Sequence, residues 1–182
     1  MKKNVLMMAL LTGVIVPPAA AVAACRTASA AVAPVQAPAD TLQTGIALFR
    51  QGQYAKAETA LRAASWPEAS AYLAASLAKQ KKYAEAEGPA RAALEASPLN
   101  EIAVAAFGES LVGQRKFDEA IDKMSDVIKR KPDLAYPYFW RGQAYYGKKK
   151  ADRMVEDFQT FLKLAPKSPE APVVRQLLSS LG

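Results

Sequence analysis

A short motif recurs along this chain at almost constant spacing, and that regularity constrains the fold more than any other feature. Four segments match one another: Gly52-Gln53-Tyr54-Ala55-Lys56-Ala57, Lys81-Lys82-Tyr83-Ala84-Glu85-Ala86, Arg115-Lys116-Phe117-Asp118-Glu119-Ala120 and Lys149-Lys150-Ala151-Asp152-Arg153-Met154. Their last residues are separated by 29, 34 and 34 positions, and Pro98, Pro132 and Pro166 keep the 34-residue beat. A fixed period in this range means one supersecondary unit stacked on copies of itself, because a single unit cannot bury its own apolar face. The units read as helical. Hydrophobic residues make up 51% of the chain, and many are alanine, the best helix former. No stretch alternates apolar and polar residues with the Val, Ile and Thr enrichment of a strand.

Within each period the apolar residues are spaced for two helices. Leu73-Ala74, Phe107-Gly108 and Arg141-Gly142 pair a large residue with a small one, and Leu77, Leu111 and Tyr145 follow on the same face. On the second helix, Ala86, Ala120 and Met154 are followed after four residues by Ala90, Met124 and Phe158. Ala93, Val127 and Phe161 come three later and complete an apolar stripe. The period and these pairs resemble the tetratricopeptide repeat family over residues 40–168. The resemblance implies an all-α, right-handed superhelix of about four helix-turn-helix hairpins, with each first helix lining a concave groove. Asn100, Asp133 and Ser168 are placed near helix starts, where short polar side chains cap free N–H groups.

The sequence departs from the pattern in four places. The first unit is short, and the shortage is expected in the turn before Trp66-Pro67. Gly88-Pro89 falls inside a second helix and is expected to kink or delay it. Arg141 and Met154 stand where the family has a large apolar and a small residue. Residues 169–182 extend past the last repeat, with Val174, Leu177, Leu178 and Leu181 on one helical face. They read as a helix capping the open end, or else as a helix for a partner.

The N-terminus has a different character. Lys2 and Lys3 precede an apolar stretch, Val5 to Val16, and then an Ala-rich run ending Val22-Ala23-Ala24-Cys25. Residues 1–24 have the layout of a bacterial secretory signal, too short in their apolar part to span a bilayer. Val22 to Cys25 resembles a lipobox, which implies cleavage before Cys25, a lipid on its thiol and, with Arg26 next, an outer-membrane destination. Ordinary cleavage after Ala28-Ser29-Ala30 is the alternative. Residues 25–39 are Ala/Pro-rich and read as a tether. The chain carries 24 basic and 17 acidic side chains; without Lys2 and Lys3, 22 remain against 17, a net charge of +5.

Composition narrows the function. There is no histidine, and Cys25 is the single cysteine. The commonest general base, the commonest metal ligand and any internal disulfide are thereby removed. Glu85, Glu87, Asp118, Glu119, Asp122 and Asp126 read as solvated helix faces, and Lys148-Lys149-Lys150 as a solvated turn. No enzyme, cofactor or metal site is expected, and export argues against a nucleic-acid partner. The family resemblance implies a protein or peptide partner in the groove. Its candidate residues are Leu42, Ile46, Phe49, Arg50, Tyr72, Ala75, Lys79, Ala105, Glu109, Val112, Tyr136, Phe139, Gln143 and Tyr146. Lys79 and Arg50 are the candidates for receiving a carboxylate, and Trp140 reads as a contact between repeats. The expectation is a scaffold or assembly factor of the bacterial envelope, lipid-anchored or soluble in the periplasm. The alternative is a periplasmic peptide- or solute-binding subunit associated with a transporter.

Overall fold

Each copy of the recurring motif marks the turn of a helical hairpin. The computed structural model describes residues 38–64 and 66–181. The signal region, Cys25, Ala28-Ser29-Ala30 and the tether up to residue 37 lie outside the described residues. The first hairpin pairs α1 (Pro38–Arg50) with α2 (Tyr54–Arg62), the second α3 (Pro67–Lys79) with α4 (Tyr83–Ala96). The third pairs α5 (Glu101–Gly113) with α6 (Phe117–Arg130), and the fourth α7 (Ala135–Gly147) with α8 (Ala151–Leu164). A last helix, α9 (Ala171–Ser179), packs on α8. Every regular element among the described residues is helical, as expected.

The motif recurs because it encodes one turn geometry. Gly52, Lys81, Arg115 and Lys149 all adopt left-handed φ values, of 74°, 61°, 62° and 58°. At each, two backbone bonds close the helix end: Lys81 N–H donates to the Ala78 carbonyl at 2.8 Å, and Lys82 N–H to that of Leu77 at 3.0 Å. This paired bonding satisfies carbonyls that a helix end otherwise leaves free. The short first unit has a different cause from the one expected. α2 has 9 residues where α4, α6 and α8 have 14, so the missing five belong to the second helix and not to the turn. Pro89 does not delay its helix either. α4 starts on the 34-residue beat and runs through Pro89 to Ala96; the carbonyl that proline leaves unbonded belongs to exposed Glu85. Of the three expected caps only Asn100 acts as one, accepting from Ala103 N–H at 3.0 Å. α7 begins two residues after Asp133, behind buried Leu134, and the buried Ser168 hydroxyl lies ahead of the α9 start.

All nine residues of the second-helix stripe are buried. Leu77 and Leu111 join them, while Tyr145 is only half-buried. α9 covers the end of the array through Val174, which packs with Phe139, Met154, Phe158 and Phe161. This is the capping role; Leu181, however, falls beyond the helix and is exposed.

Polar contacts join successive hairpins. Glu58 on α2 accepts from Gln80 and Lys82 in the next hairpin's turn, both at 2.9 Å, and from Arg62 at 2.9 Å. Glu87 on α4 repeats this with Gln114 (2.9 Å), Lys116 (2.6 Å) and Arg91 (3.0 Å). The lysine bonds hold both carboxyls well below their usual range, at about 2. Glu87 is therefore part of a clamp between repeats and not of a solvated face. Ile121 stands 34 residues after Glu87, so the clamp ends there. Farther along, Arg141, unexpected at an apolar position, makes a bidentate pair with buried Asp157 at 2.9 and 2.7 Å and donates to Ser125 at 3.0 Å.

Candidate partner-binding groove

The first helices of the hairpins, α1, α3, α5 and α7, contact one another in sequence. Each contributes to an open hollow of about 320 Å³. Its floor is apolar: Phe49, Ala75, Ile102, Ala105, Ala106 and Trp140. Helical spacing places these groups together, since Ile102 and Ala106, like Tyr136 and Trp140, are four residues apart. The small residue of the Phe107-Gly108 pair has a defined use here. A Cβ at Gly108 would lie 2.6 Å from Cγ of Trp140, so the indole rests directly against α5.

The rim is polar. Lys79 Nζ lies 3.0 Å from a Glu109 carboxylate oxygen. Tyr136 donates its hydroxyl to Glu170 at 3.1 Å. Burial, the Glu170 charge and bond, and the charge of Glu109 push the Tyr136 phenol up to about 12. Glu101 and Pro169 complete the lining.

Residues 42–101 and 105–171 match the profile of the tetratricopeptide repeat. The chain belongs to that family. Solved structures agree on the fold. TTC0263, a thermophilic TPR protein in Thermus thermophilus, is 21% identical, with a TM-score of 0.70 over 80% of this chain and 84% of that one. YrrB, described as a TPR protein with an unusual peptide-binding site, is 21% identical, with a TM-score of 0.62 over 77% of this chain and 75% of that one. MamA from Desulfovibrio magneticus RS-1 is 20% identical, with a TM-score of 0.59 over 72% and 77%. No match was found among curated proteins. A tetratricopeptide array of this kind is a protein-interaction scaffold.

Of the groove residues expected from sequence, the tetratricopeptide hollow gathers Phe49, Ala75, Lys79, Ala105, Glu109 and Tyr136. The others lie elsewhere. Leu42, Ile46 and Tyr72 are buried between α1, α2 and α3, with Tyr72 edge-on to Phe49 at 5.5 Å. Phe139 stands one period after Ala105, but its larger ring packs onto Phe161 at 5.0 Å and Phe158 at 6.0 Å and is buried. Val112 packs against the central core; Arg50 is exposed and Gln143 half-buried, both away from the hollow. Tyr146 is exposed beside Lys149, Lys150, Met154 and Leu181, which line a separate hollow of about 440 Å³. Lys79 is also not free to receive a carboxylate, because Glu109 already holds it. Trp140 spans both readings, lying between repeats against Gly108 and on the groove floor.

Glu101, Ile102, Pro169 and Glu170 were not among the expected groove residues. The period itself carried part of the signal: Ile102, Tyr136 and Glu170 follow one another at 34-residue steps.

Proposed function

We propose that this chain is an exported scaffold of the bacterial cell envelope that holds a segment of a partner protein along its first-helix groove. The observation that carries the reading is the hollow itself. It is contributed by four successive first helices, floored by alanine and aromatic side chains and rimmed by charged ones. Interfaces concentrate binding energy in such aromatic anchors. The family membership supports a protein or peptide as the partner, and the peptide-binding site attributed to YrrB offers a parallel within the same fold. The hollow is open along the first helices, which favours a peptide segment over the enclosed pocket of a solute-capturing transporter subunit.

Export rests on the basic, apolar and Ala-rich order of residues 1–24. Cys25 is the proposed lipid attachment point, with the outer membrane as destination and the Ala/Pro-rich stretch as a tether. No catalytic step is part of this reading.

Two experiments test it. Crosslinked envelope extracts are captured with wild type and with Ala105→Trp, a variant that fills the hollow. A defined protein lost from the folded variant supports the groove, and retention of every partner refutes it. Fractionation and intact mass of the mature protein, compared with Cys25→Ser, test the anchor. A mature chain beginning after Ala30 would sink lipidation at Cys25.

A further inference from the structure

The groove is acidic on a basic chain. The sequence has 24 Lys and Arg against 17 Asp and Glu, yet the charged groups lining the hollow are Glu101, Glu109, Glu170 and one ammonium, Lys79. Lys79 is engaged by Glu109 at 3.0 Å, which leaves two carboxylates. Glu101 approaches Lys131 only to 3.8 Å with most of its side chain exposed, a pairing that contributes little in water. Glu170 accepts from the neutral Tyr136 hydroxyl, which orients the carboxylate without cancelling its charge. Among the described residues no cation stands within ion-pair distance of it. Beside these carboxylates are the rings of Phe49, Tyr136 and Trp140, whose faces attract cations.

Building on the reading of this groove as a peptide site, we infer that it selects a positively charged segment: a Lys or Arg of the partner polypeptide, with small residues beside it. The charged head meets Glu101 and Glu170, where a cation-to-carboxylate hydrogen bond is stronger than a neutral one. Its apolar stem lies along Tyr136 and Trp140, as such stems do when the head remains polar. Ala105 and Ala106 leave room for the backbone and only for small neighbours. The same charges repel an acidic terminus or an anionic surface, so the net positive charge of the chain does not define what the groove binds.

A random 12-residue peptide library is panned on the full chain and on Glu101→Gln/Glu170→Gln, which preserves side-chain size and the Lys79–Glu109 pair. Wild-type binders are expected to be enriched in Lys and Arg over Asp and Glu. A synthesised binder should lose about tenfold in affinity on the Gln variant, the scale of one charged hydrogen bond. The same loss is expected on wild type when the peptide's Lys or Arg is replaced by norleucine, an arm independent of how the variant folds. Binders that are neutral or acidic, yet lost on Ala105→Trp, leave the groove standing and overturn its charge preference. Basic binders indifferent to both the Gln and norleucine changes also overturn the preference. Binders indifferent to Ala105→Trp, or no binders, overturn the groove reading and this inference with it.

Discussion

Tyr136 and Glu170, one repeat period apart in sequence, are joined by a hydrogen bond of 3.1 Å that ties α7 to the start of α9. Glu170 immediately precedes the first residue of α9, where a negative charge also favours the helix dipole. The bond therefore helps to hold the capping helix as well as to shape the groove. Tyr136→Phe should cost about 1.5–3 kcal/mol of stability, the range for a hydrogen bond to a charged group. Amide exchange should accelerate over residues 171–179 more than over α5. Uniform exchange across the array would show that this bond does not control the cap.

The same tyrosine reports on pH. Burial and the neighbouring carboxylates raise its phenol to about 12, above the ordinary value of 10.0. A group raised on folding contributes stability that is complete below its unfolded value and is lost as pH rises through the folded one. Between pH 10 and 12 the wild type should lose stability faster than Tyr136→Phe. Phenolate absorbance should show one tyrosine titrating late in wild type and missing in the variant. Identical stability profiles for the two proteins over that window would refute the assignment.

Acid acts on a different part of the array. Glu58 and Glu87 are lowered from 4.5 to about 2, chiefly by their bonds from Lys82 and Lys116. Depressed carboxyls contribute stability that is present above the unfolded value and lost as pH falls through the folded one. Denaturant midpoints should therefore drop between about pH 4.5 and 2, and Glu58→Gln/Glu87→Gln should flatten that drop while lowering stability at neutral pH. An unchanged acid limb in the double variant would mean that other carboxyls dominate it.

Periodicity makes the core legible without any coordinates: Ala90, Met124 and Phe158 share one register and all three are buried. The groove is less legible because a helical face has no sharp edge in sequence. Ala105 and Phe139 occupy matching positions, yet the alanine stays on the groove wall while the ring turns into the pocket made by Phe158 and Phe161. The sign of the groove's charge is hidden for a related reason. Lys79 reads as available in the sequence, but Glu109, 30 residues away, holds it, and Glu170 enters from outside the four hairpins. Hairpin geometry follows from local spacing, whereas charge balance depends on which distant side chains converge.

Arg141 reads as a defect in the repeat, and its pairing explains why it is tolerated. Both partners are largely buried, with side-chain exposures of 19% for Arg141 and 5% for Asp157. Burial pushes the Asp157 carboxyl upward against the pull of Arg141, while the bond that Arg141 donates to Asp157 raises the guanidinium. Removing one partner strands a buried charge, so Arg141→Ala should cost roughly 3–5 kcal/mol. Replacing both, as Arg141→Met with Asp157→Leu, should fall within about 1 kcal/mol of wild type because well-packed apolar pairs replace buried ion pairs without large loss. A double-mutant cycle by denaturant unfolding decides this. A double variant as unstable as the single one would mean that the pair is needed for packing and not merely balanced.

The turns offer a gain in stability. Lys81 adopts φ 61° at the position occupied in the first hairpin by Gly52, at φ 74°. A side chain in the left-handed region brings Cβ too close to the carbonyl oxygen, and glycine removes that contact. The cost of glycine's greater freedom in the unfolded chain offsets part of the relief. Lys81→Gly should therefore stabilise by about 0.5–1 kcal/mol, net of the two effects. The turn bonds from residues 81 and 82 are backbone bonds and survive the change. Lys81→Ala keeps the Cβ and should give no comparable gain. Denaturant midpoints of the two variants separate the causes: equal shifts would assign the effect to loss of the lysine charge, and a shift in glycine alone to the backbone.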